Sequence, residues 1–281
     1  MTKSKGSTMK IPFMKMSGSG NDFILIDHRR PFFSKAQMQE LARKVCRRRI
    51  SVGADGLIFI ESSERADFKW QFFNADGSEA EMCGNGGRCA ARFAYLKGIA
   101  GPSLTFETVA GILSAEVDGM RVKLEMTNPH SLKLDEPLAV EGKSLTVSSL
   151  NTGVPHAVLF VEDVEGWDVG RMGRIIRNHP HFAPSGTNVN FVRVEKGSHL
   201  IVRTYERGVE DETLACGTGV VASSLISAFK EFVTSPVSVK TQGGEVLKVH
   251  FEIEGKEVKK VYYEGDVHII YEAEMWEEAY L

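Results

Sequence analysis

Two cysteines in this sequence open closely similar glycine-rich turns. Cys83 begins CGNGG at residues 83–87 and Cys216 begins CGTGV at residues 216–220, and an apolar run that predicts a helix follows each turn. The start of a helix exposes N–H groups without intrahelical partners and carries about half a positive charge. That charge favours a thiolate by up to about 2 kcal/mol, which would bring a thiol pKa from about 8.5 to about 7. Each thiol could therefore gain or lose a proton near neutral pH.

A pair of acidic thiols in two similar halves favours one class of reaction. One thiolate would remove a proton from one face of a carbon, and the other thiol would return a proton to the opposite face, which is racemisation or epimerisation. Glycines lack a Cβ, so a ligand carboxylate could approach the helix N–H groups and have its neighbouring carbanion stabilised there. This chemistry needs no cofactor, although composition alone leaves pyridoxal phosphate open.

The remaining cysteines and other site types give weaker patterns. Cys46 and Cys89 are predicted to be buried core thiols, because an isolated cysteine usually packs as a small apolar residue. The cysteines at 46, 83, 89 and 216 contain no C-x-x-C pair, which argues against zinc and against a redox dithiol. No G-x-x-x-x-G-K-[ST] segment is present, so a phosphate-binding loop is also disfavoured. The sequence predicts no metal site.

Composition narrows the class of protein and partner. The 281 residues exceed one ordinary module, and 42% hydrophobic with 25% charged residues describes a folded chain of two units or one large α/β domain. Lys and Arg (34) nearly balance Asp and Glu (37), so nothing attracts nucleic acid or a membrane, and a small-molecule partner is expected. Four cysteines, with neither a leader pattern nor an apolar run near 18 residues, predict a cytoplasmic protein.

Hydrophobic patterning predicts the elements that must position the two turns. Residues 1–10 are polar and predict no element, and turn residues at 127–130 suggest a boundary between two halves. The first half predicts strands at 23–27, 57–61, 69–74 and 104–108, and helices at 35–49 and 87–98. The second half predicts strands at 156–163, 188–195, 200–206, 238–242, 245–253 and 260–265, and a helix at 220–232.

An internal repeat supports two similar halves. Asn74 ends a strand before Cys83, and Glu206 ends a strand before Cys216; the two pairs are separated by 132 and 133 residues. Asn21 and Asn188 also each lead a strand, and we expect them to be a third equivalent pair. Their separation of 167 residues requires insertions between the copies.

Six segments together resemble the diaminopimelate epimerase family, the cofactor-independent enzymes of lysine and peptidoglycan precursor synthesis. They are MSGSGNDFILID, VGADGLIF, FFNADGSEAEMCGNGGRCAARF, TGVPHAV, GTNVNFV and YERGVEDETLACGTG, and the resemblance runs from about Ile11 to the C-terminus. It implies an α/β (α+β) fold of two pseudo-symmetric domains, each a curved, mostly antiparallel sheet around a central helix, with the active site in the cleft between them. The domains would be 1–127 with 269–281, and 128–268. A homodimer without cofactor is implied.

The resemblance also implies roles for individual residues. Cys83 and Cys216 would be the two acid/base residues. Asn21, Asn74 and Asn188 also have a purely structural interpretation, in which each forms a turn or caps the end of a strand. The implied substrate-binding residues are Gly84, Asn85, Gly217 and Thr218 at the reacting carboxylate, Glu206 and Arg207 at the reacting amino group and far carboxylate, and Asn21, Asn74 and Asn188 at the distal end; His156 would support the first thiol.

Two positions depart from the family pattern. Val154 stands in GVPH where the family often has G-N-P-H, and Gly56 stands where some members carry Gln. Loss of a hydrogen-bond partner in a dry pocket costs about 1–3 kcal/mol, enough to change the preference among amino acids.

Four functions stay open at this point. The first is epimerisation of LL-diaminopimelate to the meso form. The second is racemisation of a different amino acid on the same fold, or a related isomerisation, which Val154 favours. The third is a non-catalytic amino-acid binding module, which would not need both cysteines, and the fourth is a thiol redox sensor.

Overall fold

The computed structural model describes residues 10–80 and 82–280, which form two compact units. Unit 1 comprises residues 10–124 with 266–280, and unit 2 comprises residues 125–265. The prediction of no element over residues 1–10 falls outside the described residues except at Lys10, which precedes the first strand.

Most elements of the described residues are strands, with helices between some of them. The strands are β1 (Ile11–Gly18), β2 (Asn21–Asp27), β3 (Gly56–Glu61), β4 (Phe68–Asn74), β5 (Ser103–Thr108), β6 (Gly111–Asp118), β7 (Arg121–Glu125), β8 (His130–Val140), β9 (Lys143–Asn151), β10 (Pro155–Phe160), β11 (Asn188–Glu195), β12 (His199–Glu206), β13 (Asp211–Thr213), β14 (Val237–Thr241), β15 (Val246–Glu254), β16 (Glu257–Asp266) and β17 (His268–Met275). The helices are α1 (Lys35–Val45), α2 (Gly84–Leu96), α3 (Val169–Arg177) and α4 (Gly217–Phe229), with short 3-10 turns at Pro180–Phe182 and Glu277–Ala279.

Unit 1 is a mixed sheet covered by a helix on each face. Its strand order is β17-β1-β2-β3-β4-β5-β6-β7, with β2/β3 and β4/β5 parallel and the other neighbours antiparallel. The run FILI in β2 is buried on both faces. Ile24 belongs to the core around α1, whereas Phe23 approaches Gly86 of α2, because successive strand side chains point to opposite faces.

Unit 2 has the same architecture. Its strand order is β8-β9-β10-β11-β12-β14-β15-β16, with β10/β11 and β12/β14 parallel and the other neighbours antiparallel. Helix α4 packs against β9, β10, β11, β12, β14 and β15, and α3 packs against β11, β12 and β13. The mixed, mostly antiparallel α/β architecture confirms the predicted fold class.

The shared strand order corrects one expected equivalence. In the registers, Phe23 pairs with Gly56 in unit 1 and His156 pairs with Asn188 in unit 2. Asn188 is therefore the counterpart of Gly56, and the pairing of Asn21 with Asn188 was wrong. Counting back along β2 and β10 makes Val154 the counterpart of Asn21. The sequence showed only that each asparagine stands at the start of a strand. Which strands of the two units are equivalent is known only from their order and pairing in the sheets.

Helix limits also differ from the predictions. Both central helices begin three residues earlier than expected, at Gly84 and Gly217, since glycines were taken as turn residues. Helix α1 ends at Val45 rather than at residue 49. Helix α3 was not predicted, because two of its nine residues are glycine. Among the described residues, no helix is long and apolar enough to cross a membrane.

The packing of α3 predicts different effects of alanine at its two glycines, Gly173 and Gly170. A Cβ at Gly173 would overlap Cβ and Cγ of the buried Tyr205 and lie 2.8 Å from its Cδ2, whereas a Cβ at Gly170 would meet only Asp168 Oδ1 at 3.9 Å. Gly173→Ala is expected to lower the free energy of unfolding by about 1–3 kcal/mol. Gly170→Ala should be neutral or stabilising by up to about 1 kcal/mol. Urea unfolding of both variants measures this, and equal effects would contradict the packing argument.

Candidate active site

Cys83 is the N-cap of α2. Its extended backbone (φ −149°, ψ 117°) precedes the helix, and its Sγ accepts a hydrogen bond from Gly86 N at 3.4 Å. Gly84 and Asn85 are the first two helical residues, whose N–H groups have no intrahelical acceptor. The positive end of the helix and the N–H of Gly86 therefore lie beside the sulfur, as the sequence predicts.

A chain of polar side chains fixes the amides beside Cys83. Asn85 donates from Nδ2 to Asn21 Oδ1 at 2.8 Å, and Arg88 Nη2 donates to Asn85 Oδ1 at 2.9 Å. Asn21 in turn donates from Nδ2 to Asp55 Oδ2 at 3.0 Å. A carboxylate only accepts and a guanidinium only donates, so the two ends fix the orientation of both amides. The structure thus brings Asn21 and Asn85 together at the start of α2.

Ionic contacts hold Asp55, the carboxylate at the end of this series of hydrogen-bonded side chains. Arg48 bridges Asp55 and Asp22 at 2.8 Å and 2.5 Å, and the buried Lys15 pairs with Asp22 at 2.9 Å. Burial acts to raise the pKa of Asp22, but hydrogen bonds and charges from Arg48 and Lys15 together hold this pKa below its usual value. Sequence reasoning missed Asp55, although it lies in the quoted VGADGLIF segment.

Asn74 has a different environment. Its side chain is exposed at the end of β4 and donates from Nδ2 to Ser78 Oγ at 3.0 Å, while its backbone N–H donates to Ser78 O at 2.9 Å. In this structure its side chain closes a turn, and its role at the distal end of a substrate stays a prediction.

Cys216 is the N-cap of α4. It is buried, its φ is −117°, and its Sγ lies 3.5 Å from Thr218 Oγ1 in the first turn of the helix. A Cβ at Gly217 would lie 3.1 Å from the ring of Tyr263, so any side chain there would require the ring to shift. The backbone carbonyl of Thr218 accepts from Thr152 Oγ1 at 3.1 Å.

Glu206 lies beside Cys216 in the same unit. Burial raises the pKa of its carboxyl above the usual value, and hydrogen bonds with Thr213 and Cys216 oppose this shift. Thr213 Oγ1 donates to Glu206 Oε2 at 3.0 Å. The unit therefore joins one acid/base candidate to a carboxyl group that retains a proton more readily than an exposed glutamate.

Asn188 and Arg207 are joined through the backbone. Arg207 N donates to Asn188 Oδ1 at 2.8 Å, and Asn188 Nδ2 donates to Pro155 O at 3.3 Å. Arg207 also donates from Nη1 to Ser185 O at 2.9 Å. Asn188 is buried, so the loop that carries Arg207 is fixed by the start of β11.

His156 is fully buried on β10 beside Asn188. Burial and the charge of Arg207 lower the pKa of His156 to about 3, so its imidazole is neutral at physiological pH. Asn190 Nδ2 lies 3.1 Å from His156 Nδ1. Sequence reasoning missed Asn190, although a single amide in the apolar run VNFV is a recognisable signal of a buried polar contact.

The two remaining cysteines are core residues. Burial raises the pKa of Cys46 and of Cys89 to about 12, so both thiols stay protonated. Among residues 10–80 and 82–280, no group of three or more His, Cys, Asp or Glu side chains is placed to hold a metal ion.

Solved structures share the fold of this chain over nearly its whole length. A phenazine biosynthesis protein of the PhzF family from Bacillus anthracis has a TM-score of 0.74 at 19% identity, with 95% of this chain and 99% of that chain covered. A hydroxyproline epimerase from Agrobacterium vitis has a TM-score of 0.69 at 16% identity, with 96% and 93% covered. These similarities establish the shared two-unit fold.

Sequence relatives define the family. The family model described as diaminopimelate epimerase matches residues 13–132 and 148–270. The diaminopimelate epimerase of Aquifex aeolicus (strain VF5) is 48% identical over 277 residues, covering 95% of this chain and 98% of the relative. That of Hydrogenobaculum sp. (strain Y04AAS1) is 46% identical, covering 92% and 96%. The chain belongs to the diaminopimelate epimerase family, which confirms the resemblance drawn from its motifs.

A steric clash that the sequence did not reveal explains why residue 56 is glycine. A Cβ at this position would lie 2.5 Å from Cε2 of the buried Phe72 and 3.0 Å from Phe73 O. Gln, which some family members carry here, does not fit this site unless Phe72 moves.

Substitution at Gly56 tests this explanation. Gly56→Gln is expected to destabilise the protein by about 1–3 kcal/mol, and adding Phe72→Leu should recover part of the loss because the ring is removed. Gly101→Ala is the control, since its Cβ would meet only Ser103 O at 3.8 Å. Thermal unfolding of the three variants measures the effect; a Gly56→Gln protein as stable as the wild type would refute the clash.

Proposed function

We propose that this protein interconverts LL- and meso-2,6-diaminopimelate by a two-thiol acid/base mechanism without a cofactor. The observation that carries the proposal is the equivalent placement of Cys83 and Cys216. Each is the N-cap of the central helix in a unit of the same strand order, and each is followed by glycine at the first helical position.

The helix starts supply the electrostatic part of the mechanism. The carboxylate next to the reacting carbon would bind the N–H groups of Gly84 and Asn85 and of Gly217 and Thr218. Negative charge that develops on this carboxylate in the transition state is then stabilised by donors already in place. Backbone donors of this kind require no reorganisation during the reaction.

The thiols supply the proton transfers. A thiolate takes the α-proton, so a C–H bond breaks, an S–H bond forms and the electron pair stays on the carbon. The other thiol gives its proton to the opposite face, so its S–H bond breaks and a new C–H bond forms. Glu206, hydrogen-bonded to Cys216, would help hold that thiol protonated before it donates.

The remaining predicted residues would recognise the unreacting end of the substrate. Asn21, Asn74, Asn188 and Arg207 offer amide and guanidinium groups suited to an amino acid's ammonium and carboxylate. His156 would support the first thiol. Val154, the counterpart of Asn21, offers no polar side chain, and this favours the second candidate function, racemisation of another amino acid on the same fold.

Substitution of each thiol tests the proposed mechanism. Cys83→Ala and Cys216→Ala should each abolish epimerisation, because each face of the carbon needs its own thiol. Cys46→Ala and Cys89→Ala are the controls and should retain most activity in the folded protein. Proton NMR with LL-diaminopimelate in deuterated water follows the loss of the α-proton signal. Substantial turnover by either active-site variant would rule out the two-thiol mechanism.

Shorter amino acids test whether the distal end of the substrate is recognised. Lysine differs from diaminopimelate by the distal carboxylate alone, and alanine lacks the whole distal end. Both should turn over with kcat/KM lower by several orders of magnitude, because binding energy from the remote end positions the reacting carbon. Lysine racemisation as fast as diaminopimelate epimerisation would instead favour the second candidate function.

We also propose a cytoplasmic homodimer. A reducing compartment would keep both reactive thiols reduced. Among the described residues, β17 pairs only with β1, and it exposes Ile269, Ile270 and Tyr271. Antiparallel pairing with a second copy centred on Tyr271 would place His268 opposite Glu274, whose carboxylate accepts hydrogen bonds of the kind an imidazole N–H donates.

Light scattering after size exclusion tests the dimer. The mass should be twice the 31.1 kDa of one chain, and Ile270→Glu should shift it towards the monomer. Ile112→Glu, at another exposed isoleucine, is the control and should leave the mass unchanged. A monomeric wild type would refute the proposal.

A further inference from the structure

The side chains of Asn190, His156 and Thr204 and the carbonyl of Ala157 form a cluster in unit 2. Their hydrogen bonds have only one consistent arrangement. Asn190 Nδ2 lies 2.9 Å from Ala157 O and 3.1 Å from His156 Nδ1, and Thr204 Oγ1 donates to Asn190 Oδ1 at 2.9 Å. His156 and Asn190 are 1% and 0% exposed, so these contacts are shielded from bulk solvent.

The Ala157 carbonyl determines which way the Asn190 amide points. A carbonyl oxygen only accepts, so the amide nitrogen and not its oxygen must face it. The second hydrogen of the same Nδ2 then points to His156 Nδ1, which must accept. A neutral imidazole that accepts at Nδ1 carries its proton on Nε2.

Packing prevents the amide from turning over. A flipped Asn190 would place its oxygen against the Ala157 carbonyl and lose the donor from Thr204. The first turn of α4 closes over the same amide, because a Cβ at Gly219 would overlap Asn190 Oδ1 and lie 3.4 Å from Cys216 Cβ. Asn190 is thereby fixed between β10, β12 and the helix that Cys216 caps.

We propose that Asn190 is a positioning residue that holds His156 in the tautomer protonated on Nε2, so that His156 serves the site as a hydrogen-bond donor to an anion and not as a base. His156 Nε2 is buried and has no hydrogen-bond partner among the described residues. Its N–H therefore requires an acceptor, and a thiolate or a substrate carboxylate would supply one; this identification of the anion rests on the proposed function.

The tautomer limits what His156 can do in the reaction. Nε2 already carries a proton, and a proton could reach Nδ1 only by breaking the bond from Asn190. Arg207 is the charge that acts on the ring, and like burial it disfavours the imidazolium form. A proton removed from the substrate therefore stays on the thiol and does not pass to the histidine.

Long-range 1H–15N NMR of 15N-histidine-labelled protein tests the tautomer without relying on activity. His156 is assigned by the signal missing in His156→Gln. We expect a neutral ring protonated on Nε2 between about pH 5 and pH 8, the range in which an ordinary histidine changes charge. A ring protonated on Nδ1, or one that titrates in this range, would overturn the proposal even if the enzyme is fully active.

Asn190→Asp tests the positioning role. Its carboxylate cannot donate to Nδ1, so the signals should change to an Nδ1-protonated ring, and kcat/KM should fall by about 10- to 100-fold, as for other partners that orient a histidine. Thr204→Val is the matched control, because Ala157 still orients the amide, and its tautomer should stay unchanged. An Asn190→Asp protein that keeps the wild-type tautomer would overturn the proposal.

The proton signal of His156 Nε2–H tests whether this group donates a hydrogen bond to an anion. The Nε2–H proton signal should move in Cys83→Ala if a thiolate is the acceptor, and on addition of diaminopimelate if a carboxylate is. A signal that moves in neither experiment would overturn the donor role. Failure of the proposed function is distinguishable, since an inactive wild type with the expected tautomer would leave the Asn190 arrangement intact.

Discussion

The structure depends on the first turns of α2 and α4, which must be packed tightly and yet leave their N–H groups accessible. Glycine meets both demands at the positions that pack most closely. A Cβ at Gly87 would lie 2.8 Å from Leu124 Cδ2, and a Cβ at Gly219 would overlap the amide of Asn190. The glycines cost helix propensity of about 1 kcal/mol each, which the burial of both helices offsets. Each cysteine consequently caps a helix whose start is fixed by the core of its own unit.

The two units share this constraint but surround their thiols with different charges. In unit 1 the residue five positions after Cys83 is the buried Arg88, which orients the amide of Asn85. In unit 2 the residue five positions after Cys216 is the apolar Val221, and the ionisable neighbour is Glu206. Equivalent backbones thus carry unlike side chains around the two thiols.

The strand registers show that Val154 and Gly56, the two departures from the family pattern, are each the counterpart of an asparagine in the other unit. Val154 is the unit 2 counterpart of Asn21, and Gly56 is the unit 1 counterpart of Asn188. At each of these strand starts one unit has an asparagine and the other has an apolar residue or glycine. The polar contacts are therefore distributed unequally, and Phe72 occupies the space that a side chain at residue 56 would need.

The sequence by itself determined the placement of Cys83 and Cys216 at helix starts, because glycine spacing and hydrophobic periodicity act over a few neighbouring residues. It also determined the family through six motifs that resemble it, and that resemblance together with the internal repeat predicted the two-unit α/β fold. Tertiary structure decided where those helices begin, since burial overrides the poor helix propensity of Gly84 and Gly217. It also decided the contacts of Asn190, whose partners are Ala157, His156 and Thr204. Those contacts join residues 14 to 34 positions apart, and short-range patterns carry no record of which strands will lie side by side.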